Sequence, residues 1–400
     1  MRNHEKNYAT NGVCSIHTFE MCIPLDPNNS EKYLCMLKKR FVYNAKRTYS
    51  ENEYYREISS KKYAYPVTLS KYRCYDNDDL FVRGLSFFCL KENVIVGDLC
   101  DGQITHRAII FQANPRLLLG HTKLKYICIV PLSEIGMIVD SLVEVLSPYG
   151  FDEYDIRMAY ITRLDICSNI AMDNQDQARA YLQCLRKGGC YKGLYLNDKV
   201  FSKTAGRMVY RKNEVKFTGR DPKPRRIRQE ISIYTKHDQM EESNKPYDPY
   251  EVSLAEGQIR FEFRFFRKKI TYLLKKNDCD LEFELVNLAE AIGDSELLDR
   301  LCGLYGTGKF MKKKDAFHII EQSGHRHSVR NFMKRIIEDT RQENLMYALE
   351  NYGGDRSRMK SYFNELNISP ITIPESWSIE EFENPLTYIK TRNVNERDIV

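Results

Sequence analysis

The clearest regularity in this chain is a two-residue alternation of apolar and polar positions, which recurs from the first strand-like segment to about residue 270. In an extended strand successive side chains point to opposite faces, so residues two apart share a face. Cys14-Ser15-Ile16-His17-Thr18-Phe19 alternates in this way and predicts a first strand over 13–23 that ends at Pro24. Further strands are predicted over 80–96, 108–112, 160–170, 230–236 and 258–266, with a hairpin made from Val209-Tyr210 and 215–218. Helical spacing appears at Ile135, Ile138, Val139, Leu142, Val143 and Leu146. It predicts an amphipathic helix over 132–146, closed by Pro148-Tyr149-Gly150. A second helix is predicted over 176–185 and stops at Gly188-Gly189.

From Leu281 onward helical spacing dominates, through Leu285, Leu288, Ala289 and Ile292, then 329–337 and 359–366. The order of elements predicts an α+β architecture: a domain on an antiparallel sheet over 1–285, with a short polar tail at 1–12, and a mainly helical domain over 286–400. Residues 26–78 are polar and rich in tyrosine and carry no clear period.

A chain of 400 residues is long enough for two or three cores. Hydrophobic content of 42%, with 20 Gly and 13 Pro, excludes a disordered chain. The net charge of +6 is the difference of 61 basic and 55 acidic residues, so local clustering matters more than the total. Twenty-seven tyrosines among these cations suit nucleic acid, where rings stack on bases and cations neutralise phosphates, although a biased codon usage would also raise the count. The twelve cysteines stand singly, without a C-x-x-C pair, which argues against zinc and disulfide frameworks and for a reducing cytoplasm. No run approaches about 18 apolar residues and no apolar leader opens the chain, so the sequence reads as soluble and without membrane contact.

Three alternating segments carry the candidate chemistry. Arg163-Leu164-Asp165 places Arg163 and Asp165 on one face, and Arg260-Phe261-Glu262-Phe263-Arg264 does the same for Arg260, Glu262 and Arg264. Tyr234-Thr235-Lys236-His237 puts Lys236 one strand repeat from Tyr234. Tyr234 is the candidate nucleophile. A phenol titrating near 10 needs a cation or a base to react at neutral pH, and Lys236 would favour phenolate and bind phosphate. His237 joins this group only if the strand bends or ends there. Asp165 and Glu262 suit a hard divalent ion, Mg²⁺ or Mn²⁺, with His121 after Leu117-Leu118-Leu119-Gly120 as a third ligand. Equally, Arg163, Asp165, Arg260 and Glu262 suit cross-strand ion pairs, and Tyr234 an ordinary strand tyrosine.

Arg225, Arg226 and Arg228 precede the Tyr234 strand, and Arg267-Lys268-Lys269 follows the Glu262 strand; together they suggest a phosphate track. Lys309–Lys314 and 325–335 add charge further on. His325-Arg326-His327 lies among predicted helices and is set aside as a metal site. Gly306-Thr307-Gly308-Lys309 lacks the G-x-x-x-x-G-K-[ST] spacing of a P-loop. Residues 355–370, preceded by 336–347, have the form of a helix-turn-helix with Arg356, Arg358 and Lys360 outward.

Four segments recur in one order: Ala113-Asn114-Pro115-Arg116-Leu117-Leu118-Leu119-Gly120-His121, Ile161-Thr162-Arg163-Leu164-Asp165, Glu214-Val215-Lys216-Phe217-Thr218 leading to Tyr234-Thr235-Lys236-His237, and Gly257-Gln258-Ile259-Arg260-Phe261-Glu262. In these the chain resembles the gene II protein family of filamentous phages, rolling-circle replication initiators, over about residues 110–275. The resemblance implies an HUH-like catalytic domain that nicks one strand of phage origin DNA, links tyrosine to the 5′ phosphate and later rejoins the strand. It places the nucleophile on Tyr234 and implies a divalent metal, host helicase and polymerase as partners, and the bacterial cytoplasm. The sequence leaves two rivals: a non-catalytic DNA-binding replication or repressor protein, and an RNA-binding module with aromatic residues on its sheet. The latter needs stacking rings on the exposed face, whereas Phe261, Phe263 and Phe265 lie opposite the charges.

Overall fold

A computed structural model describes residues 14–25, 31–33, 35, 41–43, 69–74, 84–95, 105–120, 129–189, 193–197, 199–202, 207–211, 213–220, 227–243, 247–279, 283–292 and 295–389. The architecture is mixed α+β, with a large antiparallel sheet and a mostly helical C-terminal region. In chain order the strands are β1 (Ser15–Leu25), β2 (Phe41–Tyr43), β3 (Leu69–Cys74), β4 (Leu85–Ile95), β5 (Thr105–Ala113), β6 (Val130–Pro131), β7 (Tyr160–Ala171), β8 (Leu194–Leu196), β9 (Lys199–Ser202), β10 (Arg207–Tyr210), β11 (Glu214–Arg220), β12 (Ile227–Thr235), β13 (Gln258–Phe266), β14 (Phe310–Met311) and β15 (Glu381–Phe382). The helices include α1 (Ile135–Leu146), α2 (Gln175–Leu185), α3 (Lys236–Glu241), α4 (Arg267–Lys276), α5 (Glu284–Ile292), α6 (Ser295–Tyr305), α7 (Lys313–Gln322), α8 (His327–Gln342), α9 (Leu345–Glu350) and α10 (Arg356–Glu365).

The chain forms two compact units. The first comprises Ser15–Ile166 and Arg264–Gly293. Within it the strand order is β2-β3-β4-β5-β1 followed by the first half of β7, with β6 also on β1. β1 and β5 pair from Phe19↔Ala113 to Leu25↔Arg107, so the strand continues past Pro24, which sits opposite Ala108. Proline lacks a donor but keeps an extended φ and its carbonyl, and near a strand end that suffices. Helix α1 buries Ile135, Ile138, Val139, Leu142, Val145 and Leu146. It ends through Pro148 to Gly150 at φ 96°, a left-handed turn that glycine adopts without strain. Buried Glu284, the first residue of α5, accepts from Ile161 N at 2.9 Å and from both terminal nitrogens of Arg267 at 2.5 and 2.9 Å. Arg267, the first residue of α4, also donates to Ile161 O at 3.1 Å.

The second unit comprises Met1–Cys14, Cys167–Phe263 and Asp294–Val400. Its sheet runs from the second half of β7 through β13, β12 and β11 to β8. β11 and β12 pair from Glu214↔Tyr234 to Gly219↔Gln229, with a bulge at Gly219/Arg220. The expected hairpin between Val209-Tyr210 and 215–218 does not form: β10 pairs with β9, and β11 pairs with β12 and β8. The reason is that β-branched Val209 and Val215 set strand propensity but not partner. Helix α2 packs on β12 and β11. It starts one residue before the predicted 176, because Asn174 caps it by accepting from Gln177 N at 2.9 Å.

β13 differs from a half-solvated strand. Ile259, Phe261, Phe263 and Phe265 have no exposed surface, but Arg260 has none either and Glu262 is 7% exposed. Both faces are buried, so its polar side chains must find partners within the protein. In the C-terminal region a single helix over 336–347 does not form. α8 stops at Gln342, Glu343 breaks the helix at φ −119° and ψ −95°, and α9 restarts behind an Asn344 cap.

Candidate active site

In the second unit four buried polar side chains from β12, β13 and α3 meet a fifth from β7. Tyr234, the penultimate residue of β12, donates from its phenol to Glu262 Oε2 on β13 at 3.0 Å. Arg260, also on β13, donates from Nε to Asn169 Oδ1 on β7 at 2.9 Å and faces the same phenol. Lys236 is not on the Tyr234 strand. β12 ends at Thr235 and Lys236 opens α3, with Nζ 5.9 Å from the Tyr234 ring centre and 2.7 Å from Gln239 Oε1. A β-branched threonine at the helix N-cap keeps its backbone extended while the next residue turns, which two-residue periodicity cannot detect.

Burial dominates the electrostatics of this cluster. It pushes the Tyr234 phenol well above its ordinary value, and the charge and hydrogen bond of Glu262 push it further, against Arg260. Burial also pushes Lys236 well below its ordinary value; Arg260 adds to that, while Glu262 and Glu251 oppose it. For Arg260 burial acts downward, yet Tyr234, Cys167 and Glu262 outweigh it and raise its affinity for its proton. The expectation that Lys236 favours phenolate is therefore corrected: desolvation exceeds the attraction, and the phenol rests protonated against a carboxylate. A phenol in that state is activated by a base within reach, and Glu262 is such a base.

In the first unit Asp165 has no exposed surface. Arg163 reaches it through Nε at 2.8 Å and through a short contact from Nη2 to Oδ2. Arg264 reaches it at 3.1–3.2 Å through Nε and Nη2. A carboxylate offers about four lone-pair positions, and these two forks occupy them. The ion-pair reading of Asp165 is thus the one realised here. His17, on β1, has a ring nitrogen within 4.8 Å of an Asp165 oxygen. Its neighbour signal was present in the alternation of β1, which the sequence reading used only to place a strand. A divalent cation does not fit Asp165 as it stands, because two guanidinium groups already fill its lone pairs and repel a further cation. The arginines are 21% and 27% exposed, so their outer edges reach solvent.

His237 follows Lys236 in α3, with Asp238 and Glu241 3.7 and 3.5 Å from its Nδ1. Asp238 accepts from Arg179 at 3.0 and 2.6 Å and from Thr235 Oγ1 at 2.8 Å. Burial raises its carboxyl, but Arg179 and Thr235 outweigh this and hold it below the usual range. A cleft of about 430 Å³ opens beside it, lined by Arg179, Arg186, Asn213, Asp238, Glu241 and Glu242 among others. His121, Arg225 and Arg226 lie outside the described residues, as does the side chain of Arg228.

The other basic stretches are largely committed to acids. Lys309 pairs with Glu381 and Glu383, Lys312 with Glu380, Lys313 with Glu338, and Arg330 and Lys334 with Glu321. Arg267 is held by Glu284. Lys360 is not simply outward, since Nζ donates to Gly303 O at 3.0 Å, whereas Arg356 and Arg358 are exposed. His325 packs against Tyr362 with the rings tilted at 58°, and lies 3.7 Å from Glu365.

Asn169 and Gln239 were missed in the sequence. Asn169 was within reach: Asp165, Cys167 and Asn169 occupy alternate positions of β7, so extending the period finds it. Gln239 depends on the helix start at Lys236 and had no strand-level signal. No protein-family model, curated protein or solved structure matches the chain.

Proposed function

We propose that this chain is a rolling-circle replication initiator with an HUH-like catalytic domain, which nicks phage origin DNA through a 5′-phosphotyrosyl link at Tyr234 and later rejoins the strand. The observation that carries the reading is the 3.0 Å hydrogen bond from Tyr234 to Glu262, with Arg260 beside the phenol. It has the form of a nucleophile and its base, with the base held on a buried strand. As the phenolic oxygen attacks phosphorus, its proton passes to Glu262. The Tyr Oη–P bond forms, the P–O3′ bond breaks, and the departing 3′ oxygen takes up a proton. Attack by a 3′ hydroxyl on the phosphotyrosine reverses these changes and reseals the strand. Arg260 stabilises the charge that develops at the phenol. Arg163 and Arg264, with solvent-facing edges, are assigned to the DNA backbone. Mg²⁺ or Mn²⁺ stays in the proposal as a required ion but is given no step, since the lone pairs of Asp165 are filled. Host helicase and polymerase are the expected partners, and the helical region is assigned to DNA.

A second reading has its own observation. Tyr234 is only 7% exposed, as is Glu262, and a buried phenol–carboxylate contact also serves structure alone. On that reading the chain is a non-catalytic DNA-binding replication or regulatory protein.

The test is to incubate the protein with Mg²⁺ or Mn²⁺ and labelled single-stranded oligonucleotides from its origin, then separate the products under denaturing conditions. The expected result is an adduct that survives denaturation and disappears in Tyr234→Phe. An undiminished adduct in Tyr234→Phe removes Tyr234 as nucleophile. No adduct under either metal supports the second reading.

A further inference from the structure

We infer that Asn169 is a positioning residue for the proposed reaction. Its neutral amide aims the Arg260 guanidinium at the Tyr234 phenol and leaves the arginine's charge for the oxygen that reacts. This rests on Tyr234 being the nucleophile of the proposed function. Asn169 is 1% exposed and Arg260 has no exposed surface. Oδ1 of Asn169 accepts from Arg260 Nε at 2.9 Å. A guanidinium is planar and rigid and keeps its proton in proteins, so an acceptor on Nε also sets where the two terminal nitrogens point. Here the group faces the Tyr234 phenol, with Cys167 and Glu262 also close enough to act on its charge.

The choice of an amide separates aiming from simple satisfaction. Buried charges are ordinarily matched by an opposite charge. On the same strand Asp165 shows that outcome, with two arginine forks on one carboxylate. Asn169 lies two strand repeats beyond Asp165 on β7. An aspartate at 169 would have nearly the same size and would accept the same Nε–H, but it would also match the charge of Arg260. The asparagine oxygen orients the donor and adds no charge. Glu262 is then the carboxyl group that Arg260 faces. When the phenol proton passes to Glu262 in the proposed step, the arginine's charge falls to the phenolic oxygen instead of to a second carboxylate.

The test follows adduct formation by the full chain in single turnover, with Mg²⁺ or Mn²⁺ present and the labelled origin oligonucleotide varied. Asn169→Asp keeps the acceptor and is expected to retain wild-type thermal stability. Its limiting rate of adduct formation is expected to fall about tenfold or more, with the oligonucleotide concentration at half that rate unchanged. A role in folding alone predicts the opposite, an aspartate variant as fast as wild type. Asn169→Leu takes an acceptor from a buried charge and is expected to lose stability. Its readout is therefore the Arg260 Nε–H signal in the NMR spectrum of protein carrying isotope-labelled arginine, assigned by its absence in Arg260→Lys. That signal is expected to persist in Asn169→Asp and to be lost in Asn169→Leu. A wild-type limiting rate in Asn169→Asp overturns the inference and leaves Tyr234 standing as nucleophile. So does an Nε–H signal unmoved in Asn169→Leu, or a loss of stability in Asn169→Asp as large as that in Asn169→Leu. Absence of adduct from the wild type overturns the proposed function and this inference with it.

Discussion

The surroundings of Asp165 and of Tyr234 use the same ingredients, a carboxylate and guanidinium groups two residues apart on strands, and reach opposite electrostatic outcomes. Around Asp165 one acid meets two arginine forks whose outer edges are wet. Every lone pair of the acid is used and the charges are settled. Around Tyr234 the acid meets a neutral phenol, the nearby arginine bonds to an amide, and the lysine is desolvated rather than paired with a carboxylate. The first arrangement is inert because it is satisfied. The second keeps a carboxyl group against a protonated phenol, the arrangement that the proposed function would use. Sequence spacing alone does not separate them.

Three substitutions test this contrast. Glu262→Gln keeps an acceptor for the phenol but cannot take its proton, so adduct formation is expected to slow about 10²–10⁴-fold, read as the rate of labelled adduct on a denaturing gel. A rate near that of wild type would place Glu262 in the structure alone. Asp165→Asn leaves two arginines facing a neutral amide and is expected to cost about 3 kcal/mol of stability, toward the low end for a broken buried pair because the arginines reach water. Urea unfolding measures it, and a loss well below 1 kcal/mol would mean the cluster behaves as an exposed pair.

The smallest effect concerns Lys236→Met. Burial lowers the lysine in the folded state, so between its folded and unfolded titration ranges the unfolded chain binds more protons. Wild-type stability is then expected to rise with pH, by at most about 1.4 kcal/mol per unit, until the unfolded lysine itself loses its proton near about 10.4. Tyr234 acts in the opposite sense only above about 10, where the unfolded phenol ionises and the folded one does not. Lys236→Met should lack the rise below that point. Urea midpoints at pH 7, 8 and 9 for both proteins decide it, and parallel curves would show that Lys236 is charged in the fold.

Much of the second unit was legible in advance. The strand predicted over 258–266 matches β13, the helix over 176–185 matches α2 to one residue, and the 160–170 strand matches β7 to one residue. These segments have strong periods, and β13 and α2 are also marked off by Gly257 and Asn174. The candidate site was legible in part: Tyr234 and Glu262 were named and do meet, whereas Asp165 was read as a ligand or an ion pair and is found paired. Lys236 was misplaced because a strand-to-helix switch at Thr235 leaves no mark in a two-residue period. The C-terminal lysines and arginines read as a phosphate surface, yet Glu321, Glu338, Glu380 and Glu381 meet most of them. Those acids come from 13 to 72 residues away in the chain for Lys334–Glu321 and Lys309–Glu381, beyond any local pattern.

By itself the sequence determined which segments are extended, which are helical and which side chains share a face, because local sterics impose periods of two and 3.6. Only the tertiary structure decided that both faces of β13 are buried, that Asp165 takes two arginines, and that Tyr234 rests protonated against Glu262. Those outcomes depend on which strands become neighbours and on how much water is removed, and both are long-range properties that no single segment encodes.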